Sequence, residues 1–289
     1  MNQFITNQPS SIHPFKSDKI QQDLLYYNRV PKTGSENLGY LLEELAKRNN
    51  FTQSRCYKPS DRKLTKENQR AHVLDINKAP RPFSYHKHVY FINFETFGQK
   101  NPIWISMVRN PVEKLISRYY YNRNEKTYNK LMQKNSINVA GLTESEWESN
   151  TADQCIEKLL PECHFRIGTP RPENTIPYFC GQEDECLLVG SKWAFNQAKH
   201  NLETWYTVVG VLEHFNLTLT VFEAFIPQFF RNVSALYPSL GEPHVNKNSH
   251  HTITEANRRT LMTNLTLEMD FYEFVVQRFF AQLYETQKQ

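Results

Sequence analysis

The sequence predicts an α/β fold, and three observations predict it. Apolar runs of strand length stand at Leu24–Val30, Ile103–Val108 and Tyr206–Leu212. The first two end in a turn followed by apolar residues at i, i+3, i+4 and i+7, and helical stripes flank the third. Glycine is scarce, 9 residues in 289, which argues against a glycine-looped or low-complexity chain. The length suits one large domain over residues 22–289, after a polar and flexible lead-in over 1–21. A formal net charge of +4 is too small for a nucleic-acid binder but leaves room for a local basic cleft.

The first strand ends at Pro31, and Leu38, Leu41, Leu42 and Leu45 mark the buried face of a helix that starts just after Lys32-Thr33-Gly34-Ser35. Such a helix points free N–H groups and a positive dipole end into the turn, where a phosphate or sulfate fits. Lys32 adds a cation, and Thr33 and Ser35 add hydroxyls. An ordinary βα turn with a solvated lysine is the alternative, because the two glycines of a GxxxxGK[ST] loop are missing.

Residues 49–80 read as a polar connection with a short helix near Leu64–His72. Tyr85–Phe94 reads as a strand that would put His86 and His88 on one face, suited to acid/base work, to a structural pair, or to a metal for which no third ligand is evident. After Ile103–Val108 comes Arg109 at the strand end, then a helix with Asn110 as N-cap, Pro111 at its first position and Glu113 in a capping-box arrangement. Arg109 and Ser117 could both reach a phosphate over the sheet edge.

Residues 121–150 read as a long irregular excursion. Cys155 and Cys163, and Cys180 and Cys186, bracket short loops that suit local disulfides, with a metal site as the competing reading. Cys56 is left over as a free thiol. Further helices are expected at Trp193–Leu202, along Leu217–Ile226 where Pro227 kinks or ends the stripe, and at Leu265–Tyr284. The loop 238–254 carries Lys247 with His244, His250 and His251. The N-terminus resembles neither a signal peptide nor a membrane anchor, which alone would suggest the cytosol. Sequons at Asn50, Asn216, Asn232 and Asn264 join the cysteines in pointing to the secretory lumen instead.

Taken together, YNRVPKTGS, YHKHVYFINF with FG three residues on, PIWISMVRNPVEKLISRYYY, IPYFCGQEDEC and VGSKWAFNQAK followed by VVGVLEHF resemble the 2-O-sulfotransferases that act on uronic acids of glycosaminoglycans. The resemblance runs from Leu25 to Tyr284, and LTKENQ and IPYFCGQ lie nearer the uronyl branch than the heparan branch. It implies the sulfotransferase fold, a P-loop-like central parallel sheet flanked by helices. It also implies 3′-phosphoadenosine 5′-phosphosulfate (PAPS) as cofactor and no metal. Lys32, Thr33, Gly34 and Ser35 would hold the 5′-phosphosulfate, with Lys32 also acting in catalysis. Arg109 and Ser117 would grip the 3′-phosphate. His88 matches the catalytic base, His86 a neighbouring active-site histidine, Arg29 a contact to the acidic sugar chain, and Lys247 a loop that covers the cofactor. The pairs Cys155–Cys163 and Cys180–Cys186 match family disulfides.

The implied partner is a chondroitin, dermatan or heparan chain in the Golgi lumen, with no nucleic acid, with a membrane anchor that the family carries and this sequence lacks, and with a homo-oligomer left open. Gly34 departs from the small residue found in parts of the family, and the loop 244–251 is less basic than a grip on a sulfated polymer suggests. A glycoprotein glycan as acceptor, or a nucleotide-binding non-catalytic paralogue, therefore stays open. Phosphoryl transfer would need a magnesium-binding acidic strand end, which Val108-Arg109-Asn110 does not offer.

Overall fold

Strands laid side by side satisfy one another's N–H and C=O groups, and an apolar run without alternation needs a cover on both faces. The computed structural model, which describes residues 17–56, 61–134, 136, 139, 141–240 and 252–288, meets both requirements. Five strands, β1 Ile20–Asn28, β2 Thr52–Arg55, β3 Phe83–Lys87, β4 Asn101–Val108 and β5 Tyr206–Val211, form one parallel sheet in the order β2-β3-β1-β4-β5. Every residue of β4 and β5 is buried, as their unbroken apolar sequences require.

Among the described residues, α1 Ser35–Asn49 follows β1, α2 Lys66–Asn77 follows β2 and α3 Pro111–Asn122 follows β4. Then come α4 Glu125–Gln133, α5 Glu144–Ser149, α6 Ala152–Glu157, α7 Ile176–Cys180 and α8 Lys192–Trp205, which leads into β5. The chain continues through α9 Phe215–Phe225, α10 Pro227–Phe230, α11 Val233–Ser239, α12 Glu255–Asn264 and α13 Thr266–Thr286. One large apolar cluster wraps the sheet, and a smaller one joins Val112, Ile116 and Tyr119 of α3 to Cys155, Cys163, Leu261 and Leu265. The disulfides Cys155–Cys163 and Cys180–Cys186 both form, with Cα–Cα distances of 5.8 and 5.6 Å, so neither pair is a metal site. Cys56 is not disulfide-bonded.

Several elements differ from expectation. β1 begins at Ile20, inside the expected lead-in. The strand expected over Tyr85–Phe94 stops at Lys87. Beyond it Tyr90 N–H donates to Arg62 O and Phe91 N–H to Tyr178 O, so the aromatic run is buried among loops rather than in a ladder. β2 lies in the presumed polar connection, and as an edge strand with half-exposed residues it carries no apolar signal. The excursion over 121–150 holds α4 and α5, each started by a side-chain cap, Asn124 and Thr143. Asn110 caps α3 by accepting from Val112 N and Glu113 N, but Glu113 forms an ion pair with Arg258 at 2.7 Å in place of the expected capping box. Pro227 ends α9 and also starts α10.

Candidate active site

The strand order reverses at β1, and in an open parallel sheet the crevice outside the carboxyl ends at such a point is where ligands bind. Buried polar contacts fix that end of β1. Asn28 Nδ2 donates to Tyr178 O at 2.8 Å, and Ser106 Oγ on β4 donates to Asn28 O at 2.8 Å. The chain then turns through left-handed backbone at Lys32 (φ 65) and Gly34 (φ 74). A Cβ at Gly34 would lie 2.5 Å from Leu212 Cδ1, so a side chain here would be strained by the left-handed backbone and would have to push the Leu212 methyl aside. Thr33 is fully buried and donates from Oγ1 to Val30 O at 2.8 Å, closing the turn. Gly34 occupies the N-cap of α1 with no side chain to cap it, which leaves the first N–H groups of a 15-residue helix directed into the turn.

Cations converge on this helix end. Arg109, in the loop after β4, donates from Nη1 to Lys32 O at 3.5 Å, which brings the two expected anion grips together. Lys32 Nζ sits 3.9 Å above the ring of Tyr121. Burial, then the neighbouring charges of Arg109 and Arg118, lowers the Lys32 ammonium to a pKa of about 8. Ser117 is half-buried on α3, on the helical face shared by Lys114 and Tyr121.

Arg29, expected to contact the acidic sugar chain, is enclosed beside the start of α1. Its side chain is 3% exposed and donates to Ser35 Oγ at 3.3 Å and to the Glu36 carboxylate, which Arg55 also pairs.

The two histidines are held in different ways. His86, on β3, is fully buried against α1. Its Nε2 lies 2.8 Å from the Gln53 amide nitrogen and so accepts, and its Cε1 lies 3.0 Å from where a Cβ on Gly39 would stand. Burial and the charges of Arg29 and Arg55 lower its pKa to about 3. His88, just past the strand end, is half-buried, and its Nδ1 lies 2.8 Å from Arg29 O. A carbonyl accepts only, so Nδ1 carries the proton and Nε2 keeps its lone pair. Burial and Arg29 lower its pKa to about 4, so the ring is neutral at pH 7.

Beside Tyr121 opens a cavity of about 410 Å³, whose cations Lys114, Arg118, Lys130, Lys134 and Arg171 outnumber the carboxylates of Glu162, Glu173 and Glu268 in its lining. Lys114 is buried, donates to Glu173 O, and is lowered by burial to a pKa of about 8 despite the nearby Glu268. This basic hollow and the roles of Tyr121, Arg118 and Glu36 went unread in the sequence, since one helical face and two distant segments build it. Lys247, His244, His250 and His251 lie outside the described residues. Among the described residues no group of three His, Cys, Asp or Glu side chains could hold a metal ion, and no helix is long and apolar enough to cross a membrane. The donor set of the Ser35 hydroxyl, open helix N–H groups, Lys32 and Arg109 fits a ligand with separate anionic groups, as PAPS is.

Comparison with known proteins agrees with this geometry. A family model described as the sulfotransferase family matches residues 20–275. The Drosophila melanogaster protein named uronyl 2-sulfotransferase homolog pip is 33% identical over 93% of this chain and 55% of its own length. Human uronyl 2-sulfotransferase is 30% identical over 94% of this chain and 64% of its own length. Heparan sulfate 2-O-sulfotransferase 1 of Xenopus laevis is 30% identical over 91% of this chain and 72% of its own length. The chain thus spans between about half and three quarters of the relatives it matches. With a match across its sheet, its turn and most of its helices, this chain belongs to the sulfotransferase family.

Proposed function

We propose that the chain transfers a sulfuryl group from PAPS to the 2-hydroxyl of a uronic acid in a glycosaminoglycan. The observation that carries the reading is Arg109 joined to Lys32 O beside the uncapped N-terminus of α1, with a neutral histidine held on Arg29 O that keeps a lone pair on Nε2. PAPS, when bound, supplies the sulfuryl group and a phosphate leaving group. Lys32, Ser35 and the N–H groups of the turn bind its 5′ end, Thr33 through its backbone because its hydroxyl is committed to Val30. Arg109 and Ser117 bind the 3′-phosphate. His88 takes the acceptor's proton on Nε2 as the sugar oxygen bonds to sulfur, and its Nδ1–H bond to Arg29 O keeps that nitrogen in register. Lys32 and α1 stabilise the charge that grows as the old sulfur–oxygen bond breaks.

His86, enclosed by Gln53 and Gly39, supports α1 rather than touching substrate. Arg29 orders the turn through Ser35 and Glu36. The basic cavity past Tyr121 suits the acidic acceptor. Two disulfides, and sequon asparagines exposed at Asn50, Asn216 and Asn232 and half-exposed at Asn264, suit the Golgi lumen. The test is transfer of labelled sulfate from PAPS to chondroitin, dermatan and heparan acceptors, with the modified position mapped. Label on a uronic acid 2-oxygen is expected; label elsewhere, or none on any acceptor, rejects the reading.

A further inference from the structure

Between β5 and α9 the chain makes one short 3₁₀ turn, Leu212–His214, whose first two residues reach opposite halves of the cleft. Leu212 rests on Gly34, with Cδ1 2.5 Å from the position of a Cβ there, and so supports the turn that carries Lys32. Glu213 Oε1 accepts from the backbone N–H of Asn110 at 2.8 Å. Asn110 follows Arg109 directly, so this bond fixes the peptide that aims the guanidinium.

The turn is itself held from behind. Thr218 Oγ1, fully buried, accepts from Val211 N at 3.0 Å and donates to Val211 O at 3.1 Å. Tyr272 on α13 donates to Glu213 Oε2 at 3.1 Å. The His214 ring meets Phe280 with centroids 5.0 Å apart. A carboxylate near a cation cluster that binds anions weakens the site by repulsion, so Glu213 has a cost unless it does something else. Both of its oxygens are engaged, Oε1 by Asn110 N–H and Oε2 by Tyr272.

We propose that Glu213 is a positioning residue, and that Leu212 and Glu213 together set the distance between the two anion grips and so select a nucleotide phosphorylated at both 3′ and 5′ positions. The proposal rests on the donor reading above. It predicts a selective loss. Without Glu213 the Arg109 grip loosens and a 3′-phosphate binds less well, while a ligand that uses only the Lys32 turn is unaffected.

The test compares adenosine 3′,5′-bisphosphate with adenosine 5′-monophosphate by titration calorimetry on the folded protein. Glu213→Ala is expected to weaken the bisphosphate about tenfold and the monophosphate less than about twofold, the loss of one bond to a fixing carboxylate. Glu213→Gln, whose amide oxygen still accepts from Asn110 N–H, is expected to retain the wild-type preference. Should Glu213→Ala fail to fold, Tyr272→Phe releases Oε2 alone and is expected to lower the preference about threefold. Equal weakening of both ligands, or an unchanged preference in the folded alanine variant or, failing that, in Tyr272→Phe, overturns the brace. A wild-type protein with no preference for the bisphosphate overturns the donor reading instead.

Discussion

His88 reaches its place because β3 ends one residue before it, which frees the ring from the ladder and lets Nδ1–H find Arg29 O. The same fact separates it from His86, which stays in the strand and is sealed against α1. Removing the base should slow turnover by about 10²–10⁴-fold. His88→Ala is therefore expected to lose sulfate transfer at an unchanged melting temperature; near-normal turnover would remove His88 from the mechanism. Lys32 carries a second expectation. With its pKa lowered to about 8, the charge proposed to anchor the donor is present below that pH and lost above it. The ratio kcat/KM for PAPS is expected to fall about tenfold per pH unit beyond pH 8, reporting the free enzyme. Lys32→Arg, which stays charged, should flatten that alkaline limb, and a limb left in place would assign it to another group.

At the scale of elements, two strand–turn–helix units face each other across β1 and β4, and their turns differ in how they are specified. The start of α3 is written locally, since Asn110 accepts from two N–H groups and Pro111 fits the first helical position. The start of α1 is not, because its cap is a glycine whose left-handed backbone is supported by Leu212, distant in sequence. Gly34→Ala should therefore cost about 1–2 kcal/mol from the left-handed backbone alone. The contact with Leu212 adds to it. Urea unfolding of Gly34→Ala, Leu212→Ala and Gly34→Ala/Leu212→Ala separates the two costs: in the Leu212→Ala background the Gly34→Ala change should cost only the backbone part. A Gly34→Ala variant as stable as wild type would mean that the turn relaxes freely.

For the molecule as a whole, burial of neutral imidazole makes stability depend on acid. Burial holds His86 at a pKa of about 3 against an ordinary value of 6.5. Between those values the unfolded chain binds a proton that the folded chain refuses, so stability rises with pH and the contribution is complete above 6.5. Through that window His86 contributes up to about 1.4 kcal/mol per pH unit. His72, paired with Tyr26 at 2.7 Å and lowered by burial to about 4, acts in the same direction. Unfolding free energies measured from pH 4.5 to 7 should show a slope that His86→Gln makes shallower; an unchanged slope would place the proton uptake elsewhere.

The sheet's main strands, the Lys32 turn and the capped start of α3 were legible because each is encoded within a dozen residues, by apolar period and turn chemistry. So were the two disulfides, whose partners lie eight and six residues apart. Burial and strand pairing leave the same apolar trace, so the sequence ran β3 on through the buried loop Val89–Ile92, and the polar edge strand β2 left none. The resemblance makes Arg29 a contact to the acidic sugar chain, and nothing local records that folding encloses it with Glu36. By itself the sequence singled out the groups proposed to carry the chemistry, since turn and cap are local patterns and the base follows from the family resemblance. Only the tertiary structure decided their arrangement: Lys32 O beside Arg109, Leu212 on Gly34 and Glu213 on Asn110 N–H. Each joins segments brought together by β1, β4 and β5 lying side by side, and no local preference records that juxtaposition.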